Sequence, residues 1–128
     1  MAARLDTLDP IFRPIVERVM ARIAAEKLPM VLAETDRSYE KQADCFRRGV
    51  SKCDGLRNIS LHQARLAADF VAVDEKGNRS WDYAKYKDAY KRMAEIAREE
   101  GCEVGQDWKP FDPVTGFGWD PPHIQFKA

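Results

Sequence analysis

Two histidines and a few acidic residues carry the chemistry open to this chain. His62 and His123 are its only histidines among 128 residues. His62 lies in SLHQARLAAD, seven residues before Asp69, and His123 closes WDPPH, three residues after Asp120. Two imidazoles and a carboxylate form a common catalytic zinc set, with a fourth position left for water. His62, Asp69 and His123 are therefore candidate ligands of one Zn2+. A bound zinc lowers the pKa of its water to roughly 7. A base must then manage protons, and Asp120 is the candidate. A cation would polarise a substrate carbonyl, and Arg37 is placed for that role. HExxH does not occur, so the helix-borne zinc peptidase pattern is excluded. Each residue also has a plainer reading. A lone histidine is usually structural, Asp120 before Pro121 starts a turn, and Asp69 suits a cap or an ion pair. Spacing alone leaves both readings open.

These residues need elements to hold them. Asp9-Pro10 reads as an N-cap followed by proline at the first helical position. Apolar residues from Ile11 to Ile23 then recur at helical spacing, which predicts a helix over about 10–27. PMVLAET (29–35) reads as a strand. Ser38 caps a second helix to about Arg48, and 49–58 is a loop. In LAADFVAVD (66–74), Leu66, Ala68, Phe70 and Ala72 share one face of a strand, with Ala67, Asp69, Val71 and Val73 on the other. Asp69 is the one charge in that apolar row. KGN (76–78) is turn chemistry. Trp81, Tyr83, Tyr86, Tyr90, Met93 and Ile96 mark a helix to about Glu100, closed by Gly101. CEVG is a short strand, and the loop after it is rich in proline, glycine and aromatics. HIQF is the final strand, with His123 and Gln125 on one face and Ile124 and Phe126 on the other. This order predicts an α+β domain with a small, mostly antiparallel sheet and flanking helices.

Composition sets the outer bounds. The length suits a single domain, 1–128, with one core. Lys+Arg and Asp+Glu are both 21, so a general polyanion binder is not expected, and no base-reading motif suggests nucleic acid. Residues 37–65 carry seven basic side chains against three acidic ones. That is either a solvated face or an attraction for an anionic substrate. No apolar run approaches the ~18 residues of a membrane span. MAARLDTLDP has no apolar h-region, so synthesis in the cytoplasm without a signal peptide is expected. Three cysteines, with no CxxC, fit reduced thiols.

SLHQARLAAD resembles the S-x-H-x-x-G-x-A-x-D motif of the zinc D,D-carboxypeptidase and L-alanyl-D-glutamate peptidase family, through Ser60, His62, Ala67 and Asp69. WDPPHIQF resembles its D-x-P-H-F-E/Q motif through Asp120, Pro122, His123 and Gln125. ETDRSYEKQ resembles G-Y-R-S/T-x-x-x-Q through Arg37, Ser38 and Gln42. GQDWKPF resembles the G-G-D-W-K segment of phage-type endolysin peptidases. The matches run in order from about residue 31 to 126. The resemblance implies a fold like that of D,D-peptidase and hedgehog amino-terminal domains. It also implies zinc on His62, Asp69 and His123, Asp120 as base and Arg37 as oxyanion partner.

The implied substrate is the peptidoglycan stem peptide, cut as by the L-alanyl-D-glutamate endopeptidases of phage or prophage lysins. Such an enzyme would act as a monomer on the cell wall after holin-mediated release. Ser60 would support the site or simply occupy a turn. Trp108 and Trp119 would wall the cleft, although core packing is the default for such residues. Three departures stand out. Arg65 replaces the motif glycine, Thr35-Asp36 replaces Gly-Tyr, and FDPVTGFGW (111–119) lengthens the loop before Asp120. A D,D-carboxypeptidase or D-Ala-D-Ala dipeptidase is the second enzyme reading. A non-catalytic, metal-stabilised wall-binding module is the reading from another class.

Overall fold

The computed structural model of the protein describes residues 4–35 and 65–127. Arg37, Ser38, Gln42, Ser60 and His62 lie outside the described residues. So do the helix expected after Ser38, the 49–58 loop, Cys45 and Cys53.

Helix α1 spans Arg13–Ala25. It begins three residues later than the sequence predicts. Pro14 has no N–H to donate, so the regular ladder starts behind it, with the Val16 amide donating to Phe12 O at 3.1 Å. Asp9 holds the turn that precedes α1, its side chain accepting from the Ile11 amide at 2.9 Å, whereas the N-cap of α1 itself is Phe12, with no side-chain cap bond. Strand β1 is Met30–Glu34 and β2 is Ala67–Val73. A turn held by Asp74, whose carboxylate accepts from the amides of Lys76 and Asn78, leads into a two-residue strand, β3, Arg79–Ser80. Helix α2 is Lys87–Glu99. Trp81 and Tyr83 precede it, contrary to the periodicity. The Ser80 hydroxyl accepts from the Asp82 amide and the Asp82 carboxylate accepts from the Lys85 amide, which holds that stretch in turns. Gly101 closes the helix at φ 91°, as expected of a left-handed C′ glycine. Strand β4, Cys102–Val104, passes through a 3₁₀ turn, Gly105–Asp107, into a long loop. Strand β5 is His123–Phe126.

The sheet has the order β1-β2-β5-β4, all antiparallel, with β3 on β2. This is the α+β arrangement that the element order predicts. Both helices cover one face of it. Phe12, Val16, Val19 and Ile23 of the α1 region and Tyr90, Met93, Ile96 and Ala97 of α2 form the core there. They pack with Ala68, Phe70, Ala72, Val104 and Ile124 of the strands. Removing the Ile124 side chain to Cβ would cost about 2–5 kcal/mol. Since strand side chains alternate, Asp69, Glu103, His123 and Gln125 occupy the other face. Cys102 is a buried free thiol in the core. Burial, reinforced by the Glu100 charge, pushes that thiol up to about 12. No helix among the described residues is long and apolar enough to cross a membrane.

Ion pairs tie the two helices at their rims. Glu100 accepts from Arg18 at 2.8 Å and Arg22 at 3.2 Å, and Glu26 takes both arms of Arg92 at 2.7 Å. The Arg18 hydrogen bond, then Arg22, hold the Glu100 carboxyl below its ordinary 4.5. A carboxyl depressed in the folded state stabilises above its unfolded value and stops doing so as pH falls through the folded one. Glu100→Gln should therefore melt lower than the parent protein at pH 7. The two melting curves should converge as pH drops below 4.5; a gap that persists in acid would show that the ion pairs are not its cause.

Candidate active site

The site is built on the sheet face opposite the helices. Antiparallel pairing sets Asp69 of β2 directly opposite His123 of β5, and Gln125 opposite Glu103 of β4. Directly opposed residues share a face and bring their side chains together. His123 Nδ1 stands 3.3 Å from Asp69 Oδ1 and 3.8 Å from Asp120 Oδ2. The imidazole is buried. Asp120 reaches it from the loop, three residues back, where the His123 amide donates to Asp120 O at 3.2 Å. On the far side of the ring, Gln125 Oε1 lies 2.8 Å from His123 Nε2. With the amide oxygen toward the ring, Nε2 carries the hydrogen and Nδ1 keeps its lone pair.

Asp69 and Asp120 thus both flank Nδ1 of His123, and a nitrogen-plus-carboxylate donor set suits zinc. Among the described residues there is no complete cluster of three or more metal-ligating side chains. Asp69 and His123 supply two of the three expected ligands, and His62 lies outside the described residues. Tyr83 stacks edge-on against Tyr90 at 5.0 Å. Burial, then the Tyr90, Asp120 and Asp69 charges, raise its hydroxyl well above the ordinary tyrosine value. Nothing in the sequence singled it out for this neighbourhood.

Aromatic rings wall the site. The Trp108 ring lies 4.9 Å from the His123 ring and 5.4 Å from Trp119. Neither tryptophan joins the core, so the default expectation of core packing fails for both. Trp108 is half-buried and Trp119 is 38% exposed. Both sit on the loop, which is pinned to the segment that follows β4. The pinning is backbone on backbone. Gly118 N–H donates to Gln106 O at 2.7 Å and the Trp119 amide to Trp108 O at 3.0 Å. Buried Gln106 donates to Tyr90 O at 2.8 Å and Pro121 O at 3.1 Å, fastening the loop to α2. A Cβ on Gly105 would overlap Asp120 O and come within 2.9 Å of Asp120 Cβ. The glycine of GQDWK is there so that Asp120 can lie against it. The 111–119 stretch folds on itself. Asp112 O accepts from the Gly116 amide at 2.7 Å, and Phe117 buries as its anchor.

Arg65, in place of the motif glycine, has φ 65°. The position demands the left-handed region, which explains why glycine suits the motif. Arg65 is exposed.

No protein-family model matches the chain. A curated relative, the peptidoglycan L-alanyl-D-glutamate endopeptidase CwlK of Bacillus subtilis, is 27% identical over 92% of this chain and 72% of its own. Among solved structures, the L-Ala D-Glu endopeptidase ChiX of Serratia marcescens is 29% identical. It superposes with a TM-score of 0.65 over 96% of this chain and 83% of ChiX. The vancomycin resistance D,D-pentapeptidase VanY of the VanB-type cassette, in complex with Zn(II), is 19% identical with a TM-score of 0.61, over 94% of this chain and 73% of VanY. At that identity the likeness to VanY speaks to the fold alone. The fold is the D,D-peptidase-like one that the motifs imply. In sequence and fold the chain is thus similar to peptidoglycan L-alanyl-D-glutamate endopeptidases.

Two substitutions test this construction. Gly105→Ala should displace Asp120 and lower both stability and peptidase activity; unchanged activity would refute the close-approach argument. Arg65→Gly should raise stability by up to about 1 kcal/mol by relieving the left-handed strain. Chemical denaturation measures it, and a loss of stability would show that the arginine side chain contributes more than its backbone costs.

Proposed function

We propose that this chain is a zinc-dependent L-alanyl-D-glutamate endopeptidase acting on peptidoglycan stem peptides. The observation that carries the reading is the buried His123 Nδ1, faced by Asp69 at 3.3 Å and Asp120 at 3.8 Å. In this reading His62, Asp69 and His123 hold one zinc. A zinc ion supplies Lewis acidity toward the scissile carbonyl and acidifies water. The two aspartates divide the remaining work by position. Asp69 is nearer the imidazole and its side chain only 19% exposed, which suits a ligand. Asp120 is farther and 31% exposed, which suits a group that must meet substrate and solvent. It accepts the proton of the attacking water and returns it to the leaving amine. Arg37 stabilises the developing oxyanion. The Trp108–Trp119 wall orients the peptide, and the basic 37–65 segment draws in its carboxylates. Likeness to ChiX and CwlK favours the bond between L-alanine and D-glutamate. The D-W-K segment, with its resemblance to phage-type endolysins, favours a phage or prophage lysis enzyme.

Purified protein with quantified zinc, incubated with Gram-negative-type muropeptides, gives the direct test by mass spectrometry. New L-alanyl carboxyl ends and D-glutamyl amino ends are the expected products. Release of D-alanine would point instead to a carboxypeptidase, and intact muropeptides with one zinc per chain to a binding module. Asp120→Ala should keep its zinc and lose turnover by about 10²–10⁴-fold. Activity that survives this change would remove Asp120 from the mechanism.

A further inference from the structure

The tautomer of His123 depends on which way the Gln125 amide points. That amide has two orientations that fill the same space. With Oε1 toward the ring, the imidazole must carry its hydrogen on Nε2 and offer Nδ1 as a ligand. With Nε2 of the amide toward the ring, the imidazole must accept there. Its hydrogen then moves to Nδ1, which becomes a donor and cannot bind a metal. Nothing in the His123–Gln125 contact by itself chooses between the two.

Glu103 favours the first orientation, against Asp69 and Asp120, whose carboxylates face Nδ1 and would accept a hydrogen placed there. It lies opposite Gln125 in the β4–β5 ladder, and its Oε2 accepts from Gln125 Nε2 at 3.4 Å. A carboxylate only accepts. The flipped amide would set Oε1 against Oε2, two acceptors with no hydrogen between them. The other oxygen, Oε1, accepts from Trp108 Nε1 at 3.1 Å. That is the ring stacked on His123 at 4.9 Å. One exposed carboxylate on β4 therefore fixes both the amide that sets the imidazole hydrogen and the indole that covers the imidazole face.

We propose that Glu103 is a positioning residue that fixes His123 in its metal-binding tautomer through Gln125. It touches neither His123 nor, on the geometry described, any reacting atom. Partners of this kind usually change metal affinity by about 10–100-fold when removed. The inference rests on the zinc reading above for its consequence, but not for the tautomer itself.

The experiment separates the two. Long-range proton–nitrogen correlation spectra of the zinc-free protein, at alkaline pH, report the hydrogen position on each ring. The chain has only two histidines, so one His62→Ala variant assigns His123. Zinc affinity is measured in parallel by competition with a chromogenic chelator. The parent protein should show hydrogen on Nε2. Glu103→Ala should lose that preference and bind zinc at least tenfold more weakly, with the zinc-free melting temperature within about 2 °C of the parent. The double variant Glu103→Ala with Gln125→Glu should recover both properties, because a carboxylate at 125 accepts from Nε2 in either orientation. Glu103→Ala with the parent tautomer and the parent zinc affinity overturns the proposal, as does a double variant that recovers neither. A parent protein that binds no zinc overturns the metal reading, and the tautomer shift then decides the role of Glu103 alone.

Discussion

The register of β5 on β2 is the constraint on which the site depends. Ile124 of β5 pairs with Ala68 of β2 in the core, and this forces His123 to stand opposite Asp69 on the other face. A slip of one residue would carry every side chain of β5 to the wrong side. Ile124 would leave the core, and the imidazole would enter it. The burial that folds the sheet and the pairing that assembles the site are thus one choice. The apolar row of β2 shows the same economy: the carboxylate that stands with Ala67 and Val71 has an imidazole across the ladder.

The loop between β4 and β5 supplies what the strands cannot. Asp120, Trp108 and Trp119 must approach His123 from outside the sheet, and a flexible loop would not hold them there. The chain holds them with backbone contacts that only glycine permits, at Gly105 and Gly118. A Cβ on Gly118 would overlap Trp108 O and stand 2.5 Å from Gly105 O. Gln106, buried beneath, converts this loop into an extension of α2. Loops carry much of the function in proteins built on rigid scaffolds; here the loop is itself part of the scaffold.

Arg65 departs from the motif glycine but keeps the backbone the position needs. A left-handed residue just before β2 is a backbone requirement, and arginine meets it at a cost in strain. Its carbonyl accepts from the Asp9 amide at 3.0 Å, so this bend also ties the sheet to the turn that leads into α1.

Much of this was legible in the residues. The two-residue period of LAADFVAVD and HIQF gives the faces of both strands, because alternation is local and fixed by the backbone. The 3.6-residue period gives α1 and α2. Their first turns shift where Pro14, Ser80 and Asp82 engage the backbone in ways that periodicity does not encode. Asp69, Asp120, His123, Trp108 and Gln125 could be named in advance because their types and spacing match a chemical pattern. The sequence could not rank Asp69 against Asp120, since 3.3 Å against 3.8 Å is a product of register and loop path. Nor could it put Trp108 and Trp119 outside the core, draw Tyr83 toward the aspartates, or find Glu103, an ordinary glutamate in a three-residue strand. Those are matters of which strand lies beside which. The chain is silent on them because residues such as Asp69 and His123, fifty-four positions apart, meet only when the sheet closes.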